Sequence, residues 1–104
     1  MTSNITYLTG SVLDENMECS LAEICRLCNI PAEMIEDMID EGLICPRGEG
    51  PVEWRFTIVE FHRIQVSLRL QRDLRVNLPG CALVLDLLDE LENLRRAAAS
   101  AGRS

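Results

Sequence analysis

The chain has 104 residues and a mass of 11.7 kDa, which corresponds to a single domain. Seventeen acidic residues against ten arginines, with no lysine, give a net charge of −7, which disfavours generic binding to phosphate backbones. A hydrophobic content of 47% argues against intrinsic disorder, and the scarcity of aromatic residues (4%) favours an aliphatic, helical core.

Two short helices are predicted first. Ser20 and Glu23 have the spacing of a capping box, which starts a helix that ends near Cys28. Pro31 suits the first turn of a second helix, and Gly42 suits the left-handed position that stops it. Two such helices joined by a three-residue turn are typical of a helix-turn-helix.

A small β wing and two longer helices follow. The extended runs Leu43–Pro46 and Val52–Phe56 flank a Gly/Pro loop and predict a hairpin. A second capping box at Thr57–Glu60 starts a helix over Ile58–Leu74, and a last helix is predicted over Pro79–Ala98. Its apolar first half suggests burial on most sides. The predicted fold is all-α with a small β wing: a winged helix-turn-helix followed by two long C-terminal helices.

The domain division follows from these elements. Residues 1–17 are predicted to form an N-terminal arm, in which Ile5–Val12 is an extended segment or edge strand. Residues 18–98 form the single winged helix-turn-helix and helical hairpin domain. The small residues of 99–104 predict a frayed tail.

The second helix carries an unusual charge for a helix-turn-helix. A DNA-reading helix offers Arg, Lys, Asn or Gln, whereas this one has five acids and neither a base nor an amide. The acids are Glu33, Glu36, Asp37, Asp40 and Glu41. A solvated face is the usual explanation for such residues, but their mutual repulsion would also be relieved by a basic partner helix.

Other candidate contact residues have competing interpretations. Trp54 and Arg55 on the wing belong to types enriched in interface hot spots, although Trp54 could equally cover the core. Arg63 could bind an acidic group of a partner, whereas intramolecular pairing or solvation is the commoner role of such an arginine.

The last helix contains a short heptad seam. Val84, Leu87, Leu91 and Leu94 recur at a spacing of three and four residues, which predicts a homodimer through this helix. The same residues could instead pack within the monomer.

The cysteines and the lone histidine give little support to a metal site or to catalysis. Cys25 and Cys28 form one CxxC motif without the second pair of a typical structural zinc site, so neither a metal nor another cofactor is expected. His62 has no accompanying nucleophile signature, and the protein is not expected to be an enzyme. An odd count of five cysteines without a secretory or transmembrane pattern predicts a cytoplasmic protein with reduced thiols.

The order of helix, turn, helix, Gly42–Pro46, wing and long helix resembles the MerR family of regulators. The stretch from Arg75 through Pro79 and Gly80 to Leu91 is similar, more specifically, to the CbpM family of chaperone modulatory proteins. The resemblance covers residues 18–98 and does not extend to the longer N-terminal arm.

The resemblance implies a non-catalytic regulator. Members of this family bind the J domain of a CbpA/DnaJ-type co-chaperone, oppose its work with the chaperone DnaK and oppose its DNA binding. An association of the protein with the nucleoid would then occur through that partner. A J domain presents a Lys/Arg-rich helix, which the acidic second helix would complement. The alternatives are a MerR-type DNA-binding transcriptional regulator and a small metal or redox sensor that uses the cysteines.

Overall fold

The structure is a computed structural model that describes residues 16–102. Its elements are β1 (Glu18–Cys19), α1 (Leu21–Cys28), α2 (Ala32–Asp40), β2 (Phe56–Thr57), α3 (Ile58–Leu74) and α4 (Leu78–Ala101). The predicted mostly helical fold with a small β component is confirmed. The extended segment predicted at Ile5–Val12 lies outside the described residues.

Both predicted capping boxes start helices. The Ser20 hydroxyl accepts a hydrogen bond from the backbone N–H of Glu23 at 3.2 Å, and the Glu23 carboxylate accepts one from the Ser20 N–H at 2.8 Å. At α3, the carboxylate of Glu60 accepts from the backbone N–H of Thr57 at 2.7 Å. These contacts satisfy N–H groups that a helix start otherwise leaves unpaired.

The end of α2 turns the chain back into the core. Gly42 adopts a φ of 76°, its N–H donates to the carbonyl of Ile39, and the N–H of Leu43 donates to that of Met38. This pair of bonds is a Schellman motif, and it directs the fully buried Leu43 inward. The buried Leu43 thereby fixes the start of the wing against the helix-turn-helix.

The wing differs from the predicted hairpin. Within the described residues, only one isolated bridge joins its two sides, between Arg47 and Arg55. Beside this bridge, the N–H groups of Glu53 and Trp54 donate to the carbonyl of Gly50, so a turn takes the place of a longer ladder. The two-stranded sheet instead pairs β2 with β1, with Cys19 opposite Phe56. A two-residue strand leaves no periodic signal, which is why the sequence did not predict it.

The core lies between the helix-turn-helix and the first half of the C-terminal hairpin. It gathers one to three side chains from each element, because each helix buries a single stripe of its surface. Its fully buried large side chains include Ile24, Ile35, Met38, Phe56, Phe61 and Ile64.

Helix α4 is less buried than its composition predicts. Cys81, Ala82 and Leu85 face α3 and are buried, whereas Leu83 and Leu87 are 60% and 59% exposed. The predicted burial on most sides is therefore wrong, because a helix that contacts one neighbour can bury only one stripe. The helix also continues to Ala101, three residues beyond its predicted end.

The junction between α3 and α4 depends on close approach at a glycine. The side chain of Asn77 caps α4 by accepting from the Gly80 N–H at 2.9 Å. A Cβ at Gly80 would lie 2.7 Å from Cγ1 of Val76 and 3.0 Å from Oδ1 of Asn77. Val76 is β-branched and half-buried, so it cannot easily move away.

We expect Gly80→Ala to lower the free energy of unfolding by about 1–2 kcal/mol, because the clash outweighs the helix propensity of alanine. Urea unfolding followed by circular dichroism measures this change. Gly50→Ala is the matched control, since nothing lies within 4 Å of a Cβ there. A Gly80→Ala protein as stable as the wild type would contradict the close approach.

Candidate functional site

Helix α2 presents one continuous acidic surface, which we define as Glu33, Glu36, Asp37, Asp40 and Glu41. All five side chains are exposed, while Ile35 and Met38 on the opposite side of the helix are fully buried. The predicted second helix is therefore present, and its acids share the outward side.

None of these carboxylates forms an ion pair within residues 16–102, although five other ion pairs occur there. The first turn of α2 carries Glu33, which interacts favourably with the positive end of the helix dipole. Its last turn carries no basic residue, so the acids near Asp40 lack that compensation. The surface therefore has negative charge available for an external cation.

The wing residues contribute both to packing and to the surface. Trp54 is half-buried, and its ring meets that of Phe56 edge-on with 6.2 Å between centroids and an interplanar angle of 84°. Arg55 is exposed, and its guanidinium donates to the Trp54 carbonyl at 2.8 Å. No hydrogen bond or ion pair links either side chain to the acidic surface among the described residues.

Arg63 lies in an intramolecular network. Its Nε donates to the carbonyl oxygen of Leu43, and its two terminal nitrogens lie 2.7 Å from Asp89 and 3.3 Å from Asp86. The side chain is only 14% exposed. Arg63 thus has the intramolecular role that is the commoner one for such an arginine, and it ties the end of α2 to both long helices.

Asp86 and Asp89 were not singled out in the sequence. A usable signal was nonetheless present, because in an antiparallel hairpin residues equally distant from the turn lie side by side. Arg63 precedes the turn at 75–77 by about as many residues as Asp86 and Asp89 follow it. No sequence pattern indicated that the Leu43 carbonyl would also bind Arg63, since the position of that carbonyl depends on the left-handed turn at Gly42.

The predicted seam on α4 is largely exposed. Leu87, Leu91 and Leu94 are 59%, 43% and 59% exposed, whereas Val84 is half-buried. Together with Leu83 they lie on the side of α4 opposite to the stripe that packs against α3. The helix therefore has two apolar sides, and within the described residues only one of them is covered.

The thiols are mostly part of the packing. Burial raises the pKa of Cys19 and of Cys28 to about 11, and it also raises the pKa of Cys25. Cys45 is the exposed thiol among the described residues. No cluster of three or more His, Cys, Asp or Glu side chains within residues 16–102 is arranged to hold a metal ion.

Thiol labelling should distinguish these cysteines. At pH 8 we expect a disulfide reagent to modify Cys45 quickly in the native protein, and Cys19 and Cys28 far more slowly. A thiol with a pKa of about 11 is only about one-thousandth thiolate at that pH, and the thiolate is the reactive form. Mass spectrometry of the labelled peptides measures the rates, and unfolded protein provides the fully reactive control. Labelling of Cys28 at the rate of Cys45 would contradict the buried arrangement.

Comparison with known proteins agrees with this architecture. The family model described as "MerR HTH family regulatory protein" matches residues 19–100. A chaperone modulatory protein CbpM from Coxiella burnetii is 32% identical over 89 residues, which cover 86% of this chain and 84% of the relative. The chain belongs to the CbpM family of chaperone modulatory proteins.

More distant members of the same family also match. CbpM proteins from Pseudomonas putida and Pseudomonas entomophila are 27% and 25% identical over 79 residues, which cover 76% of this chain and 78% of theirs. The family resemblance inferred from the helix-turn-helix and the Pro79–Gly80 helix is thus confirmed. No helix in the described part of the chain is long and apolar enough to span a bilayer.

Proposed function

We propose that this protein is a non-catalytic regulator that binds the J domain of a CbpA/DnaJ-type co-chaperone and inhibits its co-chaperone and DNA-binding activities. The observation that carries the proposal is the acidic surface of α2, which is exposed and has no cationic partner among the described residues. Membership of the CbpM family supplies the class of partner.

Charge complementarity explains why a J domain suits this surface. The partner offers a helix rich in Lys and Arg, and its docking would relieve the repulsion among acids three and four residues apart on α2. Opposite potentials also accelerate encounter, and this effect weakens as salt screens the charges. The exposed edge of Trp54 and the guanidinium of Arg55 extend the proposed contact onto the wing. Arg63 supports this surface indirectly, because its guanidinium binds the carbonyl of Leu43, which follows α2.

We expect the double substitution Glu36→Lys and Asp37→Lys to weaken binding to the isolated J domain by at least about tenfold, because it places cations against a basic helix. Calorimetric titration at two salt concentrations measures both the affinity and its salt dependence. Asp73→Lys with Glu90→Lys is the matched control, since both residues are exposed and lie outside α2 and the wing. Equal affinities for the two double variants would show that the chosen surface is wrong.

A MerR-type DNA-binding regulator is the second candidate, because the family model that matches residues 19–100 describes a helix-turn-helix regulatory protein. In such a protein, α2 would enter the major groove. Five exposed carboxylates there would repel the phosphates, so this function is the weaker candidate. Saturable DNA binding at moderate salt, without the co-chaperone, would support it instead.

A homodimer through α4 completes the proposal. The exposed leucines at a spacing of three and four residues form the kind of stripe that pairs with a second helix, with Val84 at its buried end. A second copy would present the same stripe, so a two-fold interface would cover both.

We expect Leu91→Arg to shift the dimer toward monomer at micromolar concentration, because it places a charge in the middle of the seam. Light scattering coupled to size-exclusion chromatography measures the mass. Leu74→Arg, on α3 and 69% exposed, is the control and should leave the mass unchanged. A wild-type protein that is monomeric under these conditions would rule out the seam as a dimer interface.

A further inference from the structure

A cleft opens where the turn after α2, the start of α3 and the middle of α4 meet. It consists of two adjoining cavities of about 250 and 240 Å³, which share Val59, Arg63 and Asp89. Ile58 and His62 complete the first cavity, and residues 42–45 with Glu60 complete the second. The cleft therefore begins at the residue that follows the acidic surface.

Acidic side chains outnumber permanently charged basic ones in the lining of the cleft. Asp89 lines the cleft and shares the single guanidinium of Arg63 with Asp86, which lines neither cavity, and the Asp89 side chain remains 68% exposed. Glu60 accepts hydrogen bonds from the N–H and the hydroxyl of Thr57 but has no cationic partner among the described residues. The lining thus carries uncompensated negative charge.

His62 does not offset this charge near neutral pH. Partial burial and nearby positive charges, including those of Arg69 and Arg63, hold its pKa below the ordinary value of 6.5. The imidazole is therefore mainly neutral at pH 7. A cation that entered the cleft would meet carboxylates without strong repulsion from His62.

An apolar side chain lies beside these carboxylates. Val59, in the first turn of α3, is 58% exposed although it faces a cavity. Lysine and arginine side chains combine a hydrocarbon stem with a charged end, so they can cover an apolar surface and reach a carboxylate together. Neither a purely apolar ligand nor a small cation would use both features.

We propose that this cleft receives a Lys or Arg side chain from the basic helix that docks on the acidic surface. The stem of that side chain packs on Val59, and its charged end lies near Asp89 and Glu60. This inference rests on the proposed function and deepens it, because it extends the contact from α2 across the turn at Gly42 to α3 and α4.

The test compares two arginine substitutions that add the same charge. Val59→Arg places a cation of the protein itself in the cleft, whereas Leu74→Arg changes a 69% exposed side chain at the end of α3, outside both cavities, α2 and the wing. Calorimetric titration with the isolated J domain should show affinity at least about tenfold weaker for Val59→Arg, and within about twofold of the wild type for Leu74→Arg. Circular dichroism confirms that both variants are folded.

The outcomes separate this inference from the proposed function. A wild-type protein that fails to bind the J domain overturns both. Binding that is weakened by Glu36→Lys with Asp37→Lys but not by Val59→Arg overturns only the cleft. Equal weakening by Val59→Arg and Leu74→Arg also overturns it, since a general charge effect would then suffice.

A second measurement avoids substitutions altogether. Amide resonances of residues 42–45 and the methyl resonances of Val59 in the wild-type protein should shift when the J domain is added, together with those of α2. Shifts confined to α2 and the wing would overturn the cleft even if the Val59→Arg variant failed to fold.

Discussion

The arrangement depends on the guanidinium of Arg63, which joins three parts of the chain. It binds the carbonyl of Leu43 after α2 and the carboxylates of Asp86 and Asp89 on α4, from a position on α3. Its side chain is 14% exposed, whereas the carboxylates face solvent, so the pairs gain Coulomb energy without complete desolvation of either acid. The apolar core holds α3 against α4, and Arg63 adds the directional contact that apolar packing lacks.

Through this contact, the turn that follows the proposed binding surface is connected to α4, the helix that carries the proposed dimer seam. Leu43 follows the acidic surface within three residues of Asp40, and Asp89 lies between Leu87 and Leu91 of the seam. Movement at the end of α2 would therefore strain the same guanidinium that holds the middle of α4. A partner on α2 and a second copy on α4 would act on connected elements, although they occupy different sides of the molecule.

Local signals in the sequence predicted most of the helices, whereas contacts between distant residues were harder to predict. The capping boxes at Ser20 and Thr57 and the left-handed turn at Gly42 depend on a few neighbouring residues, so they could be read directly. The pairing of β1 with β2 joins Cys19 to Phe56 across 37 residues and left no pattern. The acidic residues of α2 were identifiable by spacing alone, but the cleft around Val59 required three separate elements to meet.

The ion pairs of the described arginines all lie outside the acidic surface of α2. Four described arginines form ion pairs with acids outside α2: Arg47 with Glu18, Arg63 with Asp86 and Asp89, Arg72 with Asp73, and Arg96 with Glu92. The pairs of Arg47, Arg72 and Arg96 are exposed and contribute little to stability, so the fold does not require them. Any of these three cations placed on α2 would have reduced the repulsion there at a similar small cost. The charge of α2 therefore remains uncompensated among the described residues, and it is this charge that the proposed basic partner would neutralise.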